Sequence, residues 1–274
     1  TFLSSILMII FWQNILHIQA SSTSVSESSS SPYTSIGSLD KYGNSIQIRN
    51  ARLSSLKHGT PIIAAISTGS SGGSSVEADK IIVCSLEPPR FKQLGRVSST
   101  TEMVDFLTPL PDDEKNCRIV AMVASGLQAD RRFIVSSLRR YSMRVWERFD
   151  VVPNCDRMAL ACSQVFLAFM GYDVQDEAGD GVKEVMQSND EKDRFQMSRP
   201  FGISALFLGL SRKGKKIVAE IKSVEPSGVI LESVAARAMG KESEQANKLL
   251  KQRWKRGMSA QQVQDMCVAV LEEI

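Results

Sequence analysis

The sequence predicts an α+β fold in which two sheets pack together within one domain and helices cover them from outside. Three observations predict it. Near-continuous apolar runs of strand length occur in two separate groups, and such runs suit sheets covered on both faces. A pair of stretches with helical apolar periodicity follows each group. The resulting order of strands, two helices, strands and two helices leaves each sheet a helical layer of its own.

The elements follow in chain order from residue 36. The spacing predicts a helix over residues 46–58, closed by Gly59, a residue suited to the C′ position, where the backbone commonly turns left-handed. Two β-rich runs come next, residues 61–66 and 80–84, joined by a Gly/Ser-rich loop over 67–75. A third run, 118–123, leads to Ser125-Gly126. A long helix is expected over 128–149, with Leu127, Ile134, Leu138, Tyr141 and Val145 on one face. Arg131, Arg132, Arg139, Arg140, Arg144 and Arg148 fall largely elsewhere. A second helix follows Pro153 and carries Leu160, Val165 and Leu167. Residues 172–193 read as an acidic loop. Two more strands, 203–210 and 216–224, flank a turn at 211–214, and two helices close the chain. The last helix begins at Ser259 with Gln262 three residues on, the spacing of a capping box. Its Val263, Met266, Cys267, Val270 and Leu271 form one apolar face.

Ahead of this pattern, residues 1–20 carry no formal charge and are mostly Ile, Leu, Phe, Met and Trp. Their apolar stretch, residues 6–12, is shorter than the about 20 residues of a membrane span, and no stable membrane anchor is expected. It suits the apolar region of a secretory signal ending at Ala20, and a mis-assigned gene start would give the same run. Residues 21–35 are Ser-rich and read as a linker, because they cannot bury enough apolar area to order themselves. The expected organisation is therefore a leader at 1–20, a linker at 21–35 and a single domain at 36–274.

Composition excludes several functional classes. The 274 residues include 33 Lys+Arg against 30 Asp+Glu, a net charge of +3, which does not call for a nucleic-acid or anionic-membrane partner. At 43% apolar and 23% charged residues the chain is neither disordered nor low-complexity. Only two histidines occur, His17 and His58, so His-rich metal sites and Ser/Cys–His triads have little to draw on. The five cysteines, Cys84, Cys117, Cys155, Cys162 and Cys267, form no C-x-x-C pair and read as reduced thiols, mostly buried. No metal and no cofactor is expected.

Three local patterns suggest chemistry and do not sustain it. Residues 209–216 approach a phosphate-binding loop, but Lys216 stands where a Ser or Thr hydroxyl is needed, and a strand rather than a helix follows. A hairpin turn is expected there instead. Residues 176–187 approach a calcium loop, yet Ala178 and Gln187 replace ligating positions. The arginines of the long helix and the basic run around Trp254 lack a base-reading or stacking arrangement, and solvated faces or subunit contacts explain them better. One candidate nucleophile is left. Thr60, at the start of a strand and after Gly59, could use its own α-amine as base if cleavage freed it.

Several short segments together resemble the α-type subunits of the 20S proteasome. They are Ser198-Arg-Pro-Phe-Gly-Ile-Ser-Ala-Leu206, Glu225-Pro-Ser-Gly228, Ala236-Arg-Ala-Met-Gly-Lys-Glu-Ser-Glu244 and Ala246-Asn-Lys-Leu-Leu250. Ser125-Gly-Leu-Gln-Ala-Asp-Arg-Arg132 is similar to the family's S-G-L-x-A-D-x-R. Gln47 with Ala51, followed by Lys57-His-Gly59, is similar to its Q-V-E-Y-A and K-[HK]-G. The likeness runs over about residues 36–274 in the family's order.

The resemblance implies a four-layer αββα sandwich of two antiparallel sheets between helix layers. It also implies a non-catalytic place in a heptameric ring of α subunits stacked on a ring of β subunits, where the α ring controls substrate entry and receives regulatory particles. On that basis the family-motif and ring-packing residues are Gly43, Gln47, Ala51, Lys57, Gly59, Ser125, Gly126, Leu127, Asp130, Arg132, Arg199, Pro200, Phe201, Gly202, Pro226, Gly228 and Gly240. Cytoplasm and nucleus are the implied location, with a secretory or plastid-derived compartment as the alternative if residues 1–20 are a true signal. The resemblance also bears on Thr60. Glu102 stands where catalytic β subunits carry a Lys, and a carboxylate there would raise the amine pKa, so no peptidase activity is expected.

The sequence departs from the family at several points. Ser38-Leu-Asp-Lys-Tyr-Gly43 replaces the gate motif Y-D-R and the turn S-P-[DE]-G, with only Gly43 matching. Arg49 and Asn50 replace a Glu-Tyr pair, and the sequence given ends at Ile274, ahead of a final strand and helix in the family pattern.

Overall fold

The computed structural model describes residues 39, 41, 45–68, 79–86, 103–108, 118–170, 199–213, 216–231 and 234–274. The expected leader and linker, Gly43, most of the Gly/Ser loop, Glu102, Cys117 and the calcium-loop-like run lie outside the described residues.

A first helix, α1 (Ile46–His58), leads directly into β1 (Ile62–Ser67), which pairs antiparallel with β2 (Lys80–Ser85). On the other side of β1 lies β8 (Ala236–Met239), also antiparallel, giving a three-stranded sheet in the order β2-β1-β8. The second sheet runs β3 (Asp105–Phe106), β4 (Arg118–Gly126), β5 (Ile203–Lys213), β6 (Lys216–Val224) and β7 (Ile230–Leu231), with every neighbouring pair antiparallel. Lys213 faces Lys216 across the β5–β6 turn. The described residues of the phosphate-loop-like run thus lie in two paired antiparallel strands, the hairpin arms that its composition predicts.

Side-chain alternation along the strands builds three apolar layers. Ile62, Ala64 and Ile66 of β1 meet Ala121 and Val123 of β4 and Leu206 and Leu208 of β5 between the two sheets. The opposite face of the larger sheet, with Val120, Met122, Ala124, Ile203, Ala205 and Phe207, packs on α2 (Gln128–Phe149) and α3 (Cys155–Phe169). The opposite face of the smaller sheet, with Ile63, Ala65, Ile82 and Ala238, packs on α4 (Ser243–Arg253) and α5 (Ala260–Glu273). Helix, sheet, sheet and helix thus stack in four layers, as the sequence and the resemblance led one to expect.

Particular side chains set the element ends. Asn154 caps α3 by accepting from the Arg157 N–H at 2.9 Å. Both halves of the expected capping box of α5 form, between Ser259 and Gln262. The outer edge of β8 would leave a free backbone ladder, and the Asn247 amide covers part of it by bonding both the N–H and the C=O of Ala238.

Helix α1 closes at Gly59 as expected, with φ −75° and ψ 140°, extended backbone that feeds straight into β1. Two expectations are corrected. Leu127 and Leu160 do not join the apolar faces of their helices and are 44% and 48% exposed. Leu127 is the N-cap of α2 and precedes the helical turn that would carry it to the core side. Leu160 lies between Ala159 and Ala161, which take the buried positions of α3.

Candidate functional site

Most of the family-motif residues meet at one end of the sandwich, where β1 starts and β4 and β8 finish. The α1 helix crosses this end against β4 and β5. Among its described side chains only Ala51 and Ser55 are buried, four positions apart on one face, so it is seated by small residues rather than by a broad apolar stripe. The Ser55 hydroxyl donates to the Ser125 carbonyl at 3.1 Å and bonds the Ser204 hydroxyl at 2.9 Å. The Ser125 hydroxyl in turn donates to the Thr60 carbonyl at 2.8 Å, tying the larger sheet to the start of β1. Lys241 donates its backbone N–H to the Gly59 carbonyl at 3.0 Å, which adds the end of β8.

The glycines at this junction follow from close approach. A Cβ on Gly59 would stand 2.2 Å from both the Ser125 hydroxyl and the Ser55 carbonyl. Gly126 has φ +127°, and a Cβ there would stand 2.1 Å from the Gly202 carbonyl. Gly240 has φ +88° and faces the Thr60 carbonyl at the same 2.1 Å. Only glycine fits such positions without displacing backbone.

A second part of the junction joins two motifs far apart in sequence. Asp130, buried in the first turn of α2, accepts two bonds from the Arg199 guanidinium, at 2.7 and 3.0 Å, and one from the Gly202 N–H at 2.9 Å. The Leu127 N–H donates to the Gly202 carbonyl at 3.1 Å. Hydrogen bonding to Asp130 raises the Arg199 pKa against a smaller opposing effect of burial. Phe201 enters the helix-side core, with ring centroids 4.3 Å from Phe169 and 5.3 Å from Phe166, and Pro200 is buried beside it.

The remaining motif residues sit apart. Pro226 and Gly228 form the turn after β6, where Gly228 donates to the Glu225 carbonyl at 2.8 Å and its own carbonyl accepts from Ser163 of α3. This turn lies at the same sheet end but on the helix side. Gln47 is half-buried near the start of α1, whereas Lys57 and Arg132 are exposed. Sequence reasoning missed Ser55, Ser204 and Ser163, whose hydroxyls make the cross-links. The small-residue face formed by Ala51 and Ser55 was the available signal.

Chemically the junction is a backbone lock. The Thr60 carbonyl accepts from the Ser125 hydroxyl, and an α-amine base at this residue would require cleavage after Gly59. Among the described residues no cluster of His, Cys, Asp or Glu could hold a metal ion, and no helix is long and apolar enough to cross a membrane. At the far end of β4 a cavity of about 400 Å³ opens between α2 and α3, with Phe149 and Val151 in its wall and Arg118 and Arg157 beside them.

A model of the proteasome subunit family matches residues 180–274. Two curated proteins similar to this chain are both named proteasome subunit alpha type-5. The one from Trypanosoma brucei brucei is 26% identical over 155 residues, covering 57% of this chain and 54% of that protein. The one from Caenorhabditis elegans is 27% identical over 101 residues, covering 37% of this chain and 39% of that protein. In these matches the chain spans about half of the first relative's length and less of the second's.

Proposed function

From a chain that is a divergent relative of the proteasome α-type subunits, we propose a non-catalytic subunit that fits between sibling subunits in the outer ring of a proteasome core. In this reading it takes α subunits as lateral neighbours and β subunits below, and helps to control substrate entry and the docking of regulatory particles. The cytoplasm and nucleus are its proposed location.

The observation that carries the non-catalytic reading is the junction at Thr60. Helix α1 lies across the sandwich end, and the segment from it into β1 is fastened there by Ser55, Ser125 and Lys241. A threonine hydrolase needs the threonine nitrogen liberated and that end open. The surface is consistent with a packed subunit. Met143, Trp146 and Phe149 recur every third residue on α2 and are 41%, 43% and 51% exposed, with Leu160 of α3 in the same helical layer. Exposed apolar residues grouped in this way mark an interaction surface.

The test is native electrophoresis of the tagged chain expressed in cells, followed by exposure of the purified material to an N-terminal-threonine-directed covalent inhibitor. The expected result is co-migration with the proteasome core and no adduct on Thr60. A persistent free monomer overturns the ring assignment, and an adduct on Thr60 overturns the non-catalytic one.

A further inference from the structure

Between the smaller sheet and the helices that cover it lie two cysteines, Cys84 on β2 and Cys267 on α5. Cys84 is opposite Ile63 in the β1–β2 ladder, and opposite residues of an antiparallel pair point to the same face. Ile63 and Cys267 belong to one apolar cluster, and Cys84 packs against that cluster at its margin. Cys267 lies on the buried face of α5 with no exposed surface, while Cys84 is only partly covered. Both are free thiols, packed near enough for each to influence the other's ionisation. One residue is thus partly open to solvent and the other is enclosed.

We propose that Cys84 and Cys267 form a redox-responsive pair, which an oxidant of the peroxide class converts into an intramolecular disulfide stapling β2 to α5. Cys84 is the attacking group. Interaction with Cys267 holds the Cys84 thiol below its ordinary value, and the same interaction together with burial holds Cys267 in its protonated form. The Cys84 thiolate attacks one peroxide oxygen, the O–O bond breaks, and the departing hydroxide takes up the thiol proton to become water. Cys84 is then a sulfenic acid. The Cys267 sulfur attacks the Cys84 sulfur, the S–O bond breaks, and the hydroxyl leaves as a second water with the Cys267 proton. Two thiols have lost two electrons and two protons, and the peroxide has gained both.

The other described cysteines are unsuited to this chemistry. Cys155 and Cys162 lie in the opposite helical layer, seven residues apart on α3, which separates them by about 10 Å along the helix axis, beyond disulfide reach. Burial pushes the Cys155 thiol up to about 12 and the Cys162 thiol up as well.

The test treats the reduced full-length chain with graded hydrogen peroxide, alkylates the remaining thiols, and maps peptides by mass spectrometry without reduction. The expected product is a linked Cys84–Cys267 peptide that reverts with dithiothreitol, with the thermal midpoint a few degrees higher in the oxidised form. In Cys267→Ser the resolving thiol is gone, so Cys84 should instead accumulate as a sulfenic acid trapped by dimedone. Absence of the linked peptide from the wild-type chain, or its replacement by a link to Cys117, overturns the proposal whether or not the variant folds.

Discussion

Gly126 and Gly257 both have positive φ, +127° and +89°, yet they differ in what surrounds them. An alanine methyl at 126 would meet the Gly202 carbonyl at 2.1 Å, whereas at 257 it meets nothing within 4 Å. Gly257→Ala should therefore carry backbone strain alone, about 1–2 kcal/mol. Gly126→Ala should carry strain and a backbone collision, about 3 kcal/mol or more. Urea unfolding midpoints of the two variants check the difference. The sequence shows Gly126 as part of a recognisable S-G-L run, but its reason was out of sight, because the opposing carbonyl belongs to the R-P-F-G segment far along the chain. Asp130 makes the same point. It and Gly202 are 72 residues apart, and only the fold shows that the two motifs are halves of one contact.

The first and last of the described helices contrast in how legible they are. Helix α5 could be read almost completely, because both of its determinants are local: a capping box at Ser259 and Gln262, and an apolar face of Val263, Met266, Cys267, Val270 and Leu271, all buried. Ser259→Ala should lose about 1 kcal/mol, seen as a lower urea midpoint with an unchanged slope. Helix α1 was legible in extent, Ile46–His58, but not in its manner of attachment. Its buried residues are Ala51 and Ser55, which carry little hydrophobic signal, and its fastening depends on a carbonyl and a hydroxyl group of two other segments. The ending at Gly59 was legible, but its reason was not: a glycine after a helix commonly serves a left-handed cap, whereas here the backbone is extended and the missing side chain makes room for Ser125.

For the whole molecule, the layer order was legible because each strand run and helix face has the right period. Which strand lies beside which was not, since pairings such as β1 with β8 join distant segments. The helix-side core also sets an alkaline limit on stability. Cys155 ionises at about 12 in the folded chain against an ordinary 9.0, through burial and then the charge of Glu220. Above pH 9 the unfolded chain loses this proton first, so the stabilisation is complete below that value and declines as pH rises towards the folded value. The loss should approach about 1.4 kcal/mol per pH unit for this thiol. Urea titrations at rising pH should show it in the wild type, with a shallower decline in Cys155→Ala.

Strand β4 is buried on both sides, with Ala121 and Val123 towards the sheet interface and Val120, Met122 and Ala124 towards the helices. A strand with one wet side is aligned by the contrast between its two sides, and β4 has no such contrast. Its threading is marked at fixed points instead, where Val120 bonds the Thr108 hydroxyl and Gly126 lodges against Gly202. Inserting or deleting one residue within β4 would thus conceal as much hydrocarbon as before and still misthread the chain, because the side-chain carbon of a neighbouring residue would arrive where only hydrogen has room.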